Sequence, residues 1–269
     1  MKSRVLRTAV SACALVVAAV GPVAPAAAAD RPYDQDVEKM IDTAYRGLDK
    51  FMDEMTSKAK GAKVTRDGVE TDISDYLKDF KASGKLLKDR FGPNEMASTN
   101  ALDFLRKAKA TDGFIERHPG FSGADSEWTY LRPVLQNLAG AYNIDWATDP
   151  SSWRPVRSSD KTISGMMAGL DKQAKALGKA TTKAGKAAKV DKAALSGVNA
   201  SIAALGSSGK AFRDTFTKKQ PIGSAADGFF GSMASAESGI ASLGLKSATT
   251  AAMSPLSTSA KNLATAFGR

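Results

Sequence analysis

Five lysines carry the most specific chemistry in this sequence. Lys172, Lys175, Lys179, Lys183 and Lys186 follow one another at steps of three, four, four and three residues. At about 100° per residue they fall within roughly 80° of one another on a helix. Leu170, Ala174, Leu177, Thr181, Ala184 and Ala188 take the opposite side. A row of ammonium groups on an otherwise apolar helix can lie along a polyanion or an anionic envelope surface. Each such contact releases counterions and weakens with salt. The segment has no interleaved aromatic residues, which makes single-stranded nucleic acid a less fitting partner. Its apolar side is mostly alanine, too weak to insert into a bilayer. The row also serves as an ordinary solvated face, since lysine is a good helix former.

Other residue types with chemical potential are set more simply. Trp128, Tyr142, Trp146 and Trp153 crowd one stretch and are expected either to cement two parts of the chain or to line a cleft for a small ligand between them. Glu127, next to Trp128, is the carboxylate best placed by neighbourhood for a shifted pKa, and with it the chain would act as a hydrolase on a wall polymer. The carboxylates Asp49, Asp53 and Glu54, and Asp72, Asp75 and Asp79, share their faces with lysines. No phosphate-binding glycine loop, serine elbow or acidic metal cluster is present in the sequence, so the chain reads as non-enzymatic. His118 is the one histidine and lacks the nitrogen or sulfur companions of a zinc or haem site. Met40, Met52, Met55, Met166 and Met167 fall on apolar stripes and read as core filling rather than copper ligands. No metal and no cofactor is expected.

The composition of the lysine segment, rich in Lys and Ala over about thirty residues, resembles linker-histone tails and some bacterial heparin-binding adhesins. The resemblance is one of composition, and no function is carried over from it.

These residues need helices to position them. Val37, Met40, Ile41, Ala44, Leu48, Phe51, Met52 and Met55 form one apolar stripe and predict a helix over about 36–60. Ile73, Leu77, Phe80, Gly84, Leu87 and Phe91 predict a second over about 72–91, stopped by Gly92-Pro93. A third is expected over about 96–110, then a loop over 111–126. A fourth carries Leu131, Val134, Leu135, Leu138, Ala141 and Tyr142, with Pro133 in its first turn. Residues 149–159 read as a Pro/Trp hinge. The pattern then restarts with Ile163, Met166, Met167, Leu170, Ala174 and Leu177, followed by Leu195, Val198, Ile202, Leu205 and Phe212. Ala226, Phe229, Phe230 and Met233 follow, and Ser254-Pro255 opens a last helix. No strand-like alternation is apparent.

Two phrases recur at a separation of 125 residues. Asn137-Leu138-Ala139-Gly140-Ala141-Tyr142 returns as Asn262-Leu263-Ala264-Thr265-Ala266-Phe267, and the stretch from Ser83 to Phe91 returns from Ser208 to Phe216. Gly47-Leu48-Asp49-Lys50 returns at 122 as Gly169-Leu170-Asp171-Lys172. The expected fold is all-α, as two tandem, diverged four-helix bundles at residues 30–148 and 160–269.

Charge divides along the same line. Residues 30–160 carry 20 Lys+Arg against 23 Asp+Glu, and residues 161–269 carry 15 against 5. The basic balance belongs to the second half and favours an acidic polysaccharide or anionic lipid surface as partner. Residues 1–29 read as a secretory signal peptide: Lys2, Arg4 and Arg7, an apolar run, then Ala27-Ala28-Ala29 before the cut. The expected mature chain is exported, secreted or periplasmic, with no transmembrane segment. Cleavage would remove Cys13, the single cysteine, and with it thiolate chemistry.

Overall fold

The computed structural model describes residues 31–59, 61–66, 68–119 and 122–268; the expected signal peptide lies outside them. The chain is mostly helical. Helices α1 (Asp34–Lys58), α2 (Ile73–Arg90), α3 (Ser98–Arg117) and α4 (Ser122–Ala141) make up the first half, and α5 (Asp160–Ala168), α6 (Leu170–Ala187), α7 (Lys192–Thr217), α8 (Gly223–Ser242) and α9 (Lys246–Ala266) the second. None of the described helices is long and apolar enough to cross a membrane.

The apolar stripes become the cores. Val37, Ile41, Ala44, Leu48, Phe51 and Met55 are the buried residues of α1. Ile73, Tyr76, Leu77, Phe80 and Leu87 do the same on α2. Helix α1 packs on α2 and α4, α2 on α3, and α3 on α4; the second half repeats the order, α6 packing on α7 and α9, α7 on α8, and α8 on α9. Buried hydrophobic residues fall into two clusters, one drawn from residues 37–153 and the other from 163–267 with Tyr33 added.

Local contacts also recur. Ser83 Oγ donates to the Phe80 carbonyl at 2.7 Å and Ser208 Oγ to the Leu205 carbonyl at 3.0 Å. A Cβ on Gly84 would meet the Phe104 ring at 2.8 Å, and one on Gly209 the Phe229 ring at 3.6 Å. Both halves end their last helix alike, with Asn143 at φ 56° and Gly268 at φ 65°. Such left-handed residues let the final carbonyls find donors.

Several expectations need correction. No strand is expected, yet residues 63–72 contain a short antiparallel hairpin, β1 (Lys63–Arg66) and β2 (Val69–Asp72), with Val64 opposite Thr71. Val64 is buried in the first core and anchors it. The sequence signal was Asp67-Gly68, a dipeptide favoured in tight hairpins. Helix α3 continues to Arg117 and α4 begins at Ser122, so the loop expected over 111–126 is mostly helical and Pro133 lies inside α4. Pro255 likewise sits inside α9 rather than at its start. Proline removes one ladder hydrogen bond, but Leu131, Leu135, Leu138 and, on α9, Leu256 and Leu263 are buried around these positions. Burial of that apolar face outweighs the local break. The helix expected around 163–177 is split at Gly169, whose backbone is at φ −91°, ψ −13°.

The two halves meet at a reciprocal contact. Asp34 and Asp160 are the first residues of α1 and α5. The Asp34 N–H donates to Asp160 Oδ2 at 2.9 Å, and the Asp160 N–H to Asp34 Oδ2 at 2.7 Å. Arg31 donates to Asp160 Oδ1 at 2.7 Å and the Ser158 carbonyl at 2.5 Å. Arg157 donates to Asp34 Oδ1 at 2.6 Å and the Pro32 carbonyl at 3.0 Å. Each group has its counterpart 126 residues away. Carboxylates at helix N-termini complement the unpaired N–H groups and the dipole there. Arg157 also donates to the Ala141 carbonyl at the end of α4, at 3.1 Å. Burial and the nearby Arg31 push the Arg157 guanidinium below its ordinary pKa, and the bond to Asp34 opposes them.

Candidate functional site

Helices α6 and α7 form a groove of about 980 Å³. Each helix arises for a legible reason. Helix α6 carries Leu170, Ala174, Leu177 and Thr181 inward, leaving its lysines outward. Helix α7 starts at Asp191, whose side chain accepts from the Ala194 N–H at 2.9 Å, and buries Leu195, Val198, Ile202 and Leu205. The groove floor is made of small residues from both helices, Ala174 and Gly178 facing Ala203 and Gly206, with the larger Ile202 buried among them. Gly178 and Gly206 leave the floor bare: added Cβ atoms would make only ordinary contacts, 3.6 Å from Ile202 and from Ala174.

Four of the five expected lysines flank this floor: Lys175, Lys179, Lys183 and Lys186. Lys172 is exposed outside the lining. Lys210 joins from α7 across the groove. It stands inside the repeated Ser208-Gly209-Lys210 phrase, but only the packing of α7 on α6 brings it to the other lysines. Among the described residues Asp171 is the groove's acidic group. Its hydrogen bond to Lys175, 2.9 Å, holds the carboxyl below its ordinary pKa, helped by Arg213 and Lys210. Lys179, Lys183 and Lys186 make no ion pair with any described residue. The site is therefore a trough about 22 Å long, given about 1.5 Å of rise per residue from Asp171 to Lys186, with an apolar floor and an excess of positive charge along its length.

The four aromatics stand elsewhere. Trp128, Tyr142, Trp146 and Trp153 are all buried in the first core and present no open face to a ligand. Asp112, 1% exposed, organises two of them: it accepts from Trp128 Nε1 at 2.9 Å and from Trp146 Nε1 at 3.3 Å. Arg132 at 3.0 Å and Lys109 at 3.7 Å balance its charge. A carboxylate taken out of water is costly unless such partners compensate it. Tyr142 donates to the Met96 carbonyl at 2.8 Å, and burial pushes its phenol well above the ordinary value. Contact between the halves is made instead by Tyr33, whose ring packs on Phe216 at 5.3 Å and whose hydroxyl donates to the Gln220 carbonyl at 2.7 Å.

Glu127 lies on the outer side of α4 in a hollow with Arg46, Lys50 and Tyr130. Trp128 points the other way, into the core, so the two neighbours in sequence do not share an environment. His118 ends α3, stacked on Phe114 with ring centroids 4.3 Å apart. Among the described residues no group of three or more His, Cys, Asp or Glu side chains is placed to hold a metal.

No protein-family model matches the chain, and neither a curated protein nor a solved structure shows a significant match to it.

Proposed function

We propose that this is an exported, non-enzymatic binding protein of two diverged four-helix bundles, in which the second copy holds an extended polyanion or an anionic envelope surface. One observation carries the reading: Lys175, Lys179, Lys183, Lys186 and Lys210 gather on one groove with a single carboxylate among them. A merely solvated lysine face would be expected to intersperse acidic partners, as the first half does. Like charges one helical turn apart repel one another, and an anionic occupant relieves that repulsion. The twofold build is supported by the common packing order, by Gly84 and Gly209 meeting phenylalanines 125 residues apart, and by the reciprocal Arg31–Asp160 and Arg157–Asp34 contacts. The export reading rests on the N-terminal sequence pattern, and the mass of the chain recovered outside the cytoplasm tests it: a start at Asp30 is expected.

Binding is tested with heparin and with anionic vesicles. Retention should fall steeply between low and physiological salt, because each neutralised charge releases counterions. Replacing Lys172, Lys175, Lys179, Lys183 and Lys186 by Gln should abolish it, and Lys172→Gln alone should change it little. Retention that is indifferent to salt, or that survives the fivefold substitution, would overturn the reading.

A further inference from the structure

We propose that the α6–α7 groove receives one acidic, amphipathic α-helix of a partner protein, a proposal that rests on the groove being an anion-binding site and names its occupant. Two properties of the trough must be matched together. Its floor is apolar and built mostly from small residues, Ala174, Gly178, Ala203 and Gly206, around the buried Ile202. Its cations are spread along the whole length, on α6 at steps of four, four and three residues from Lys175 to Lys186, with Lys210 opposite. A bare polyanion pairs with the lysines but leaves the floor without apolar contact. A single-headed lipid covers the floor but carries its charge at one end, leaving most of the lysines unmatched.

A helix lying along α6 satisfies both. Acidic side chains on it recur once per turn, about 5.4 Å, the same period at which the lysines recur. A stripe of Ala or Leu between those carboxylates fits a floor that glycines keep low, since small residues let helix axes approach. Helix-in-groove docking of this kind is anchored at i, i+3, i+4 and i+7. The full groove length corresponds to about four turns of the partner.

The test uses the full mature chain and two labelled peptides of identical composition. One places Glu at helical spacing beside an Ala/Leu stripe; the other is scrambled. Heparin and phosphatidylglycerol vesicles serve as polyanion and lipid controls. The helical peptide should bind at least tenfold more tightly than the scrambled one. Ala203→Phe and, separately, Ser207→Phe should abolish peptide binding while leaving heparin retention in place. Both positions are exposed, so circular dichroism should be unchanged. Equal binding of the two peptides, or peptide binding indifferent to both phenylalanines, overturns the helical occupant but leaves the anion site standing. Self-association of the chain that Ala203→Phe abolishes would assign the groove to a second copy and overturn the proposal as stated. Failure of peptides, heparin and vesicles alike removes the anion site itself.

Discussion

The α1–α2 face and the α6–α7 face occupy corresponding places in the two halves and are finished in opposite ways. On the first, Lys81 pairs with Asp49 across the helices, and Lys88 with Asp42 at 2.8 Å. Tyr45 fills the space between, with the two ammonium groups 5.8 and 5.7 Å from its ring centroid. On the second, Asp171 stands where Asp49 does in the repeated Gly-Leu-Asp-Lys phrase, but Gly206 replaces the lysine that would reach it. A Cβ on Gly206 would lie 3.8 Å from Asp171 Oδ1, so the register of the missing pair is preserved. One face is closed and neutralised from within. The other is hollow, and beyond the Lys175–Asp171 pair its lysines have no acidic partner among the described residues. The difference teaches that positive charge in this chain is not spread by composition alone; it collects where no side chain fills the space between two helices.

The sharpest test of that correspondence is a paired glycine substitution. Gly84→Ala forces a methyl to 2.8 Å from the buried Phe104 ring and should cost about 1–3 kcal/mol in denaturant unfolding. Gly209→Ala meets only ordinary contacts, at 3.4 Å or more, and should stabilise by up to about 1 kcal/mol, the helix-propensity gain. Equal effects would break the comparison. Alkaline pH separates the halves next. Tyr142 is buried with its pKa raised, and its counterpart Phe267 has no hydroxyl. The folded state keeps the phenol protonated while the unfolded chain ionises near pH 10. The stabilisation is thus full below about pH 10 and declines above it by up to about 1.4 kcal/mol per pH unit. Tyr142→Phe should flatten that decline, read from unfolding midpoints between neutral pH and pH 11.

Gly206→Lys restores the first half's solution. It should stabilise the second half by about 1 kcal/mol through helix propensity and a new pair with Asp171, and it should block binding in the groove. Smallest is the contrast of lysine deletions. Lys81→Gln with Lys88→Gln should cost about 0.2–1 kcal/mol per lost pair, whereas Lys179→Gln with Lys183→Gln should leave stability unchanged or raise it slightly, because repulsion is relieved. The same sign for both pairs would mean that the two faces do not differ in kind.

Much of this was legible in the chain. Periodicity located the helices whose stripes are long, and α1, α2 and α7 bury most of the residues that the spacing nominates, with Met40, Met52 and Phe91 only partly buried. The outward lysines of α6 followed from its opposite apolar stripe. What escaped has a physical cause each time. The hairpin at 63–72 is held by one buried valine, too brief a signal for alternation to show. Pro133 and Pro255 read as helix starts because local backbone preference favours them there, while tertiary burial carries α4 and α9 through both. The aromatic run was visible, but Asp112, the carboxylate that takes two indole N–H groups, lies sixteen and thirty-four residues away in sequence. The groove needs two helices at once, and no spacing along one helix reveals what its neighbour leaves empty.

The paired arginine–aspartate contact between the halves has a topological consequence. Each side offers what the other accepts, so Arg31 and Asp34 of one molecule fit Arg157 and Asp160 of a second molecule as well as their own. A connector over 143–156 too short to join the halves would leave that closure out of reach within one chain. The expected product is then exchanged dimers, or open strings of molecules where the exchange does not close on itself. Connector length is in this way a control on assembly, acting through an interface that every molecule already carries.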